Sequence, residues 1–560
     1  MAAVTVSGQA LARWRREGCN ELDEVLSTEA VRLLDARWLV ELSSKGGVLG
    51  PRQSLPEHAF LSLAQVQMAA AIVCVSHCWL QPDHPDPRGY NLRTLARALE
   101  LRLKHSPGRQ VAVFYDFCCI FQKCRGSNGK PMGHVMGWAA DETDAVGRLT
   151  EEDALFRKAL GSLGILYSLP RTHVFMLTAF PPDYEDSNAY TRTGNVAPYV
   201  DRGWCFCESS WAMMVKAPEM TLDLGKDTGE DLSNAVNADT GATCLPWNAY
   251  VNMCKVGRRA PITPEAFACF LEEKNFTNGS TDRPRVAALY RNSFEERFAS
   301  ASWLGYTSLG WGVDEARAVA EVLSVGATSS LQELSLQYNL IGDAGAKEIA
   351  KGIPHAPKLR HLRLGNNGIG DEGAEALASC LPSAVALNEL RLGVNCIGAK
   401  GAAALARSLT NAVTLERLHL HENNVGDVGA VALAKVVASS SRLRLLVLNK
   451  NEIGDKGGLA FAQALQNTSA LDTLALGGNL MSDSAALAFA AAFPNTTTLK
   501  MLDVGSNAIG VDGARALIQA APKAAQLCEI VLHANAMKDD DAVLEALRKE
   551  CVGSKIAIAL

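Results

Sequence analysis

From Leu331 onward, apolar and polar positions alternate in a six-residue block, LxxLxL. The block restarts at Leu359, Leu387, Leu415, Leu443, Leu471, Leu499 and Leu527, 28 residues apart each time. Period two places the leucines on one face of a short strand. Behind each block comes a stretch of the type IGDxGAxxLAxxL, whose small and apolar residues recur at helical spacing. The aspartate opening it, as at Asp343 and Asp371, suits a helix N-cap. An asparagine stands eight residues into every block, at Asn339, Asn367, Asn395, Asn423, Asn451, Asn479, Asn507 and Asn535. Its side chain can bond backbone groups of neighbouring turns, so the chain can leave the strand without stranding buried polar groups. The pattern predicts eight strand–helix units over 331–554, stacked into a curved α/β solenoid (horseshoe) with strands on the concave face. Residues 303–330 read as a degenerate capping repeat, with helical spacing over 314–323 and Trp311 where the asparagine is expected. Residues 555–560 (KIAIAL) read as a closing capping strand.

The first 300 residues carry no repeat. Short apolar runs at Ala70–Val75, Val111–Tyr115 and Val174–Leu177 have the β-branched character of buried parallel strands. Helix-like stretches at Leu92–Leu103 and Glu151–Tyr167 separate them. This alternation predicts a doubly wound α/β domain over 60–220, with its chemistry at the carboxyl ends of the strands. A helical extension over 1–59 precedes it, and a connector over 221–302 follows.

Composition narrows the partners. A formal net charge of -6 gives no basic signature for nucleic acid. No apolar run has the length of a membrane span, and the amino terminus lacks the layout of a signal peptide. The 15 cysteines are scattered, which fits buried thiols in a reducing, cytoplasmic location. The glycosylation triplets at Asn275 and Asn278 then carry no meaning. Cys118, Cys119 and Cys124, or Cys205 and Cys207 with His77 and His84, raise zinc, but no CxxC pair is present, so no metal is expected. Gly225-Lys226-Asp227-Thr228 lacks the spacing of a phosphate loop.

Variable strand positions supply the candidate partner-binding residues: Arg360, Arg363, Arg391, Arg417, His419, His421, Arg444 and Lys450, with His361 and Asn366 nearby. Glu333, Glu389, Glu416 and Glu422 are interspersed. Two readings stay open, a solvated face laced with cross-strand ion pairs and a docking strip for an acidic segment of a protein partner.

The repeat array resembles the leucine-rich repeats of ribonuclease inhibitor, of the GTPase-activating protein for Ran and of animal nucleotide-sensing immune receptors. That resemblance is specific for fold and implies only binding. Three blocks of the first domain carry a second resemblance: Ser76-His77-Cys78-Trp79, Asp116-Phe117-Cys118-Cys119-Ile120-Phe121-Gln122 and Arg202-Gly203-Trp204-Cys205-Phe206-Cys207-Glu208. In this order they resemble the heterokaryon-incompatibility (HET) domain, regarded as a distant relative of the TIR domain. Leu80 and Cys207 depart from that pattern, standing where glycine and glutamine are usual. The resemblance implies a TIR-like effector or self-association module. Through the NAD-cleaving members it implies Glu208 as the catalytic carboxylate, with Asp116 and Ser76 beside it and NAD as substrate rather than bound cofactor. An interaction and signalling protein, an NAD glycohydrolase and a non-catalytic scaffold therefore remain as alternatives.

Overall fold

The computed structural model describes residues 6–81, 84–122, 150–182, 184, 197–235, 243–276, 279–410, 414–536 and 556–559. Two compact units divide the chain, 1–297 and 298–560.

The first unit is built on five strands: β1 (Leu34–Asp35), β2 (Ala71–His77), β3 (Val111–Tyr115), β4 (Thr172–Leu177) and β5 (Thr221–Asp223), in the order β1-β3-β2-β4-β5. All neighbours are parallel except β1, which lies antiparallel on the edge against β3. Every residue of β2 is buried, as a central strand covered on both faces requires. On one face Cys74 reaches the Leu166 carbonyl of helix Leu163–Ser168, and Ser76 meets Glu208 of helix Gly203–Met213. On the other, His173 packs on Trp247 of helix Pro246–Cys254, and Arg102 of helix Tyr90–His105 lies over the same ring.

Segments expected to flank this domain belong to it. β1 comes from the stretch expected as a helical extension, and β5 from the stretch expected as a connector. The rest of that stretch is bound in by an aromatic stack: Phe206 on Phe267, and Phe267 on Tyr290 at 3.7 Å. The physical reason is burial: Phe267 and Tyr290 are fully buried in this stack, as Leu34 and Leu222 are in the sheet. Lys216 is fully buried, with its amine on the carbonyls of Leu169 and Thr172, and burial pulls its pKa down to about 7.

The second unit is a ten-stranded parallel sheet running in sequence order from β6 (Trp303–Gly305) to β15 (Ala557–Ala559), with a helix after each of the strands β6–β13. From β7 (Glu333–Ser335) to β14 (Glu529–Val531), register partners are 28 residues apart, as in Arg363 opposite Arg391 and His419 opposite Arg391. β6 pairs with β7 at an offset of 30, Trp303 opposite Glu333. Trp311 therefore stands at the position of the buried Ile341 and fills the same core, rather than replacing the asparagine as expected.

The asparagines do what their spacing required. Asn395 donates from Nδ2 to the carbonyls of Leu392 in its own repeat and Leu364 in the preceding one, at 2.9 and 3.1 Å. Its Oδ1 accepts the amides of Asn367 and Ile369, each at 3.0 Å. The residue before each asparagine takes a left-handed conformation, including Val394 at φ 59°, a strain of roughly 1–2 kcal/mol for a non-glycine that the ladder outweighs.

The aspartates differ from expectation. Asp343 does not cap its own helix; its Oδ1 accepts the amides of Gly370 and Gly373, at the start of the next repeat's helix. Asp371, Asp427 and Asp483 repeat the arrangement. The upstream aspartate is replaced by Ala399 before Gly426 and by Val313 before Gly342. At these two junctions the glycine turns left-handed, φ 58° and 59°, and sends its amide to the carbonyl of Asn451 or Asn367 instead. One missing carboxylate thus reverses a peptide at the helix entrance, because the amide must find some acceptor.

Candidate functional site

Two groups of polar residues stand out, one in each unit. In the first, β2 ends at the point where the chain has left in opposite directions, to β3 on one side and β4 on the other. Such a switch point opens a crevice at the carboxyl ends of the strands. Ser76, His77 and Cys78 occupy the end of β2, Asp116 follows β3, and helix Gly203–Met213 presents Cys205 and Glu208.

Successive strand residues face opposite sides, and this separates the expected trio. Ser76 is fully buried, its hydroxyl 2.5 Å from Glu208 Oε2 and 2.5 Å from the Tyr199 hydroxyl. Asp116 does not join them. It pairs with His77 Nε2 at 2.8 Å and accepts the Phe117 amide, and the His77 ring stacks on Tyr115 at 4.2 Å. Glu208 is 8% exposed, and burial pushes its carboxyl up to about 8, against the Ser76 hydrogen bond and with help from the Asp116 charge. Burial also disfavours charge on His77, but Asp116 outweighs it and holds the imidazole above its ordinary value. His77 in turn draws Asp116 below the usual carboxylate range against its burial. The thiols of Cys78 and Cys205 lie 3.9 Å apart beside this cluster.

A carboxyl group with a pKa of about 8 is mostly protonated at neutral pH and can donate a hydrogen bond or a proton, whereas the His77–Asp116 contact favours the charged form of each partner. Sequence patterns did not single out Tyr199, because its contact with Ser76 spans 123 residues and has no periodic signature. Cys124, weighed above as a zinc ligand, lies outside the described residues. Among the described residues no cluster of His, Cys, Asp and Glu has the arrangement of a metal site. A cavity of about 720 Å³ opens elsewhere in the unit beside Arg97, Lys104, His105 and Trp247. Its cations Arg97 and Lys104 are already paired with Asp227 and Glu100.

In the second unit the leucines at repeat positions one, four and six are buried under the helices, so positions three and five project from the opposite sheet face. Arg363, Arg391 and His419 form one row there, as expected. Glu333 and Glu389 sit beneath it. Arg363 Nε is 3.2 Å from Glu333, Arg391 pairs with Glu389, and His419 Nε2 is 3.2 Å from Glu389, with Arg417 at 3.9 Å. Burial and then Arg391 drive His419 down to about 4, so it is neutral at physiological pH. His421 lies flat over Gly393, where a Cβ would come within 2.1 Å of its ring. Lys450 pairs with Glu422 at 3.0 Å. Arg360 and Arg444 do not lie within the strand rows; each stands one residue ahead of its strand and is exposed.

The row changes character after His419. Val447, Ala475 and Val531 continue position five, and position three runs Leu445, Thr473, Met501 and Glu529. Asp503 interrupts the apolar run at position five and accepts Asn449 Nδ2 across Gly477 at 2.7 Å.

With this geometry in view, comparison with known proteins places the second unit. The model of the leucine-rich repeat matches residues 329–350, 355–378, 387–406, 411–434, 440–462 and 495–517. The C-terminal region therefore carries leucine-rich repeats, a scaffold whose role is protein interaction. Among solved structures, an internalin (InlF) of Listeria monocytogenes is 17% identical, covers 47% of this chain and 88% of its own, with a TM-score of 0.23. The actin-binding site 2 of leiomodin-1 is 22% identical over 23% of this chain and 75% of its own, with a TM-score of 0.21. Neither superposition is close enough to bear on function. No curated protein matches the chain. No described helix is long and apolar enough to cross a membrane.

Proposed function

We propose that this chain is a cytoplasmic interaction and signalling protein whose repeats take a protein partner on their concave face. The HET/TIR-like first unit serves as effector or self-association module. The observation that carries this reading is the row Arg363–Arg391–His419 on adjacent strands, with Arg417 and Lys450 beside it. Each guanidinium keeps donors beyond its glutamate pair and is a third or more exposed, or close to it, at 31, 35 and 48% for Arg363, Arg391 and Arg417. Planar forks held in place by Glu333 and Glu389 are pre-oriented for carboxylates of an incoming acidic segment. The apolar positions from Leu445 to Val531 then receive its hydrophobic side chains. Reversing charge at Arg363 and Arg391 together is expected to remove the partner from pulldowns with the full chain; retention of the same partner refutes the assignment.

A second reading, NAD glycohydrolysis, is favoured by one observation: the buried Glu208 carboxyl, bonded to Ser76 at the carboxyl end of the central strand and pushed up to about 8 by burial. Glu208 would then hold the ribose hydroxyls and, on giving up its proton, stabilise the oxocarbenium-like state as the bond to nicotinamide breaks and water adds to the ribose. Nicotinamide release from NAD by the full chain, lost in Glu208→Gln, is the expected result. No release even at high concentration leaves the first unit as a binding module.

A further inference from the structure

Arg202 heads helix Gly203–Met213 and is 6% exposed. Its Nε donates to the Ala197 carbonyl at 2.7 Å and its Nη1 to the Trp79 carbonyl at 2.9 Å, with the Phe180 ring 5.6 Å from the guanidinium. Its Nη2 is buried and bonds to nothing, and no carboxylate pairs with the group among the described residues. Two other buried arginines of this unit face carboxylates, while Arg102, whose Nε is also unpartnered, lies over the Trp247 ring. Arg171 faces Glu17, and Arg297 faces Glu21. Arg52, also held by carbonyl oxygens, leaves no buried nitrogen orphaned.

The bond to Trp79 sets the guanidinium at the end of the Ser76–Trp79 segment, beside Cys78 and Cys205. The nearby ionisable groups are Glu208, which burial pushes up to about 8, the His77–Asp116 pair, and the Cys78 thiol, drawn below its ordinary value by its hydrogen bond with Cys205 and, against burial, by Arg202. A second buried donor or acceptor, His77 Nδ1, is also without a partner. The cluster therefore holds a buried guanidinium that no carboxylate pairs with among the described residues. It lies at the switch point of the sheet, where ligands of open α/β sheets sit.

We propose that this cluster is an anion pocket in which Arg202, through Nη2, holds the phosphates of a nucleoside diphosphate or dinucleotide. A guanidinium anchored through two of its nitrogens presents the third in a fixed direction, which suits a phosphate oxygen. The neutral Glu208 removes the repulsion that a second carboxylate would bring. The inference deepens the glycohydrolase reading by naming the residue that takes the phosphates, and it rests on that reading only for the location of the ligand.

The test is calorimetric titration of the full chain with ADP, pyrophosphate and adenosine. ADP and pyrophosphate are expected to bind and adenosine to bind at least tenfold more weakly. Arg202→Lys, which keeps the charge but not the fork, should weaken ADP tenfold or more, and Arg202→Gln should remove measurable binding. Binding of ADP that is equal in wild type and Arg202→Gln, or no binding of ADP and pyrophosphate to wild type at millimolar concentration, overturns the proposal. If Arg202→Gln does not fold, amide exchange in wild type decides. Slower exchange over 199–210 with ADP but not adenosine supports the pocket, and unchanged exchange refutes it. Arg202-dependent ADP binding without nicotinamide release from NAD separates the two ideas, leaving the pocket standing and the glycohydrolase reading without support.

Discussion

The two units satisfy their buried polar groups in opposite ways. In the repeats, one asparagine per turn closes the same carbonyls and amides again and again, so each solution is local to two neighbouring repeats. In the first unit each solution is unique and joins distant segments: Ser76 to Glu208 across 132 residues, Lys216 to Thr172 across 44. The periodic unit is thereby a rigid frame whose variable surface is free for recognition. The aperiodic unit can hold groups in protonation states that water would not allow. On the proposed reading, recognition and chemistry fall to different halves of the chain.

The contrast can be broken most forcefully in the ladder. Asn395→Ala strands two amides and two carbonyls at once, and a loss of about 3–5 kcal/mol from the repeat unit is expected in urea denaturation. A loss below about 1 kcal/mol means that the ladder is ornamental. The next effect lies in the first unit and depends on pH. Glu208 titrates near 4.5 when unfolded and at about 8 when folded, so the unfolded chain gains by ionising first, and native stability falls as pH rises from about 4.5 to about 8. Glu208→Gln removes that penalty. Its stability relative to wild type should therefore climb by a few kcal/mol across this window in melts taken at successive pH values, and a flat difference contradicts a buried neutral carboxyl.

Smaller effects probe the frame's own irregularity. Gly426→Ala places a Cβ at φ 58° and should cost about 1 kcal/mol. Restoring the missing carboxylate with Ala399→Asp should return the Gly426 amide to its upstream acceptor and slow its exchange with solvent. The smallest expected change is in the surface row. Lys450→Glu breaks the exposed pair with Glu422 and should move stability by no more than about 1 kcal/mol. Arg391→Glu instead sets a like charge against the buried Glu389, so melts of the double reversal must show a folded repeat unit before lost binding is read.

Legibility in the sequence followed the same division. The 28-residue period exposed strands, helices, asparagine ladder and the Arg363–Arg391–His419 row, because contacts between repeats repeat their sequence spacing. It misled at Asp343, whose partners lie in the next repeat, and at Trp311, displaced by a 30-residue first offset. In the first unit the buried strands were legible as apolar runs, and Ser76, Asp116 and Glu208 as unusual residues at their ends. The pairing of Asp116 with His77, the role of Tyr199 and the recruitment of β1 and β5 were not, since alternation of faces and long-range register decide them.

The division of labour is tested most directly by comparing the proteins retained on immobilised full chain in three forms: wild type, Arg363→Glu/Arg391→Glu and Glu208→Gln. A partner retained by wild type and Glu208→Gln but lost from the double charge reversal is the predicted result. The same partner held by the double reversal, or lost only from Glu208→Gln, contradicts the assignment of recognition to the repeats.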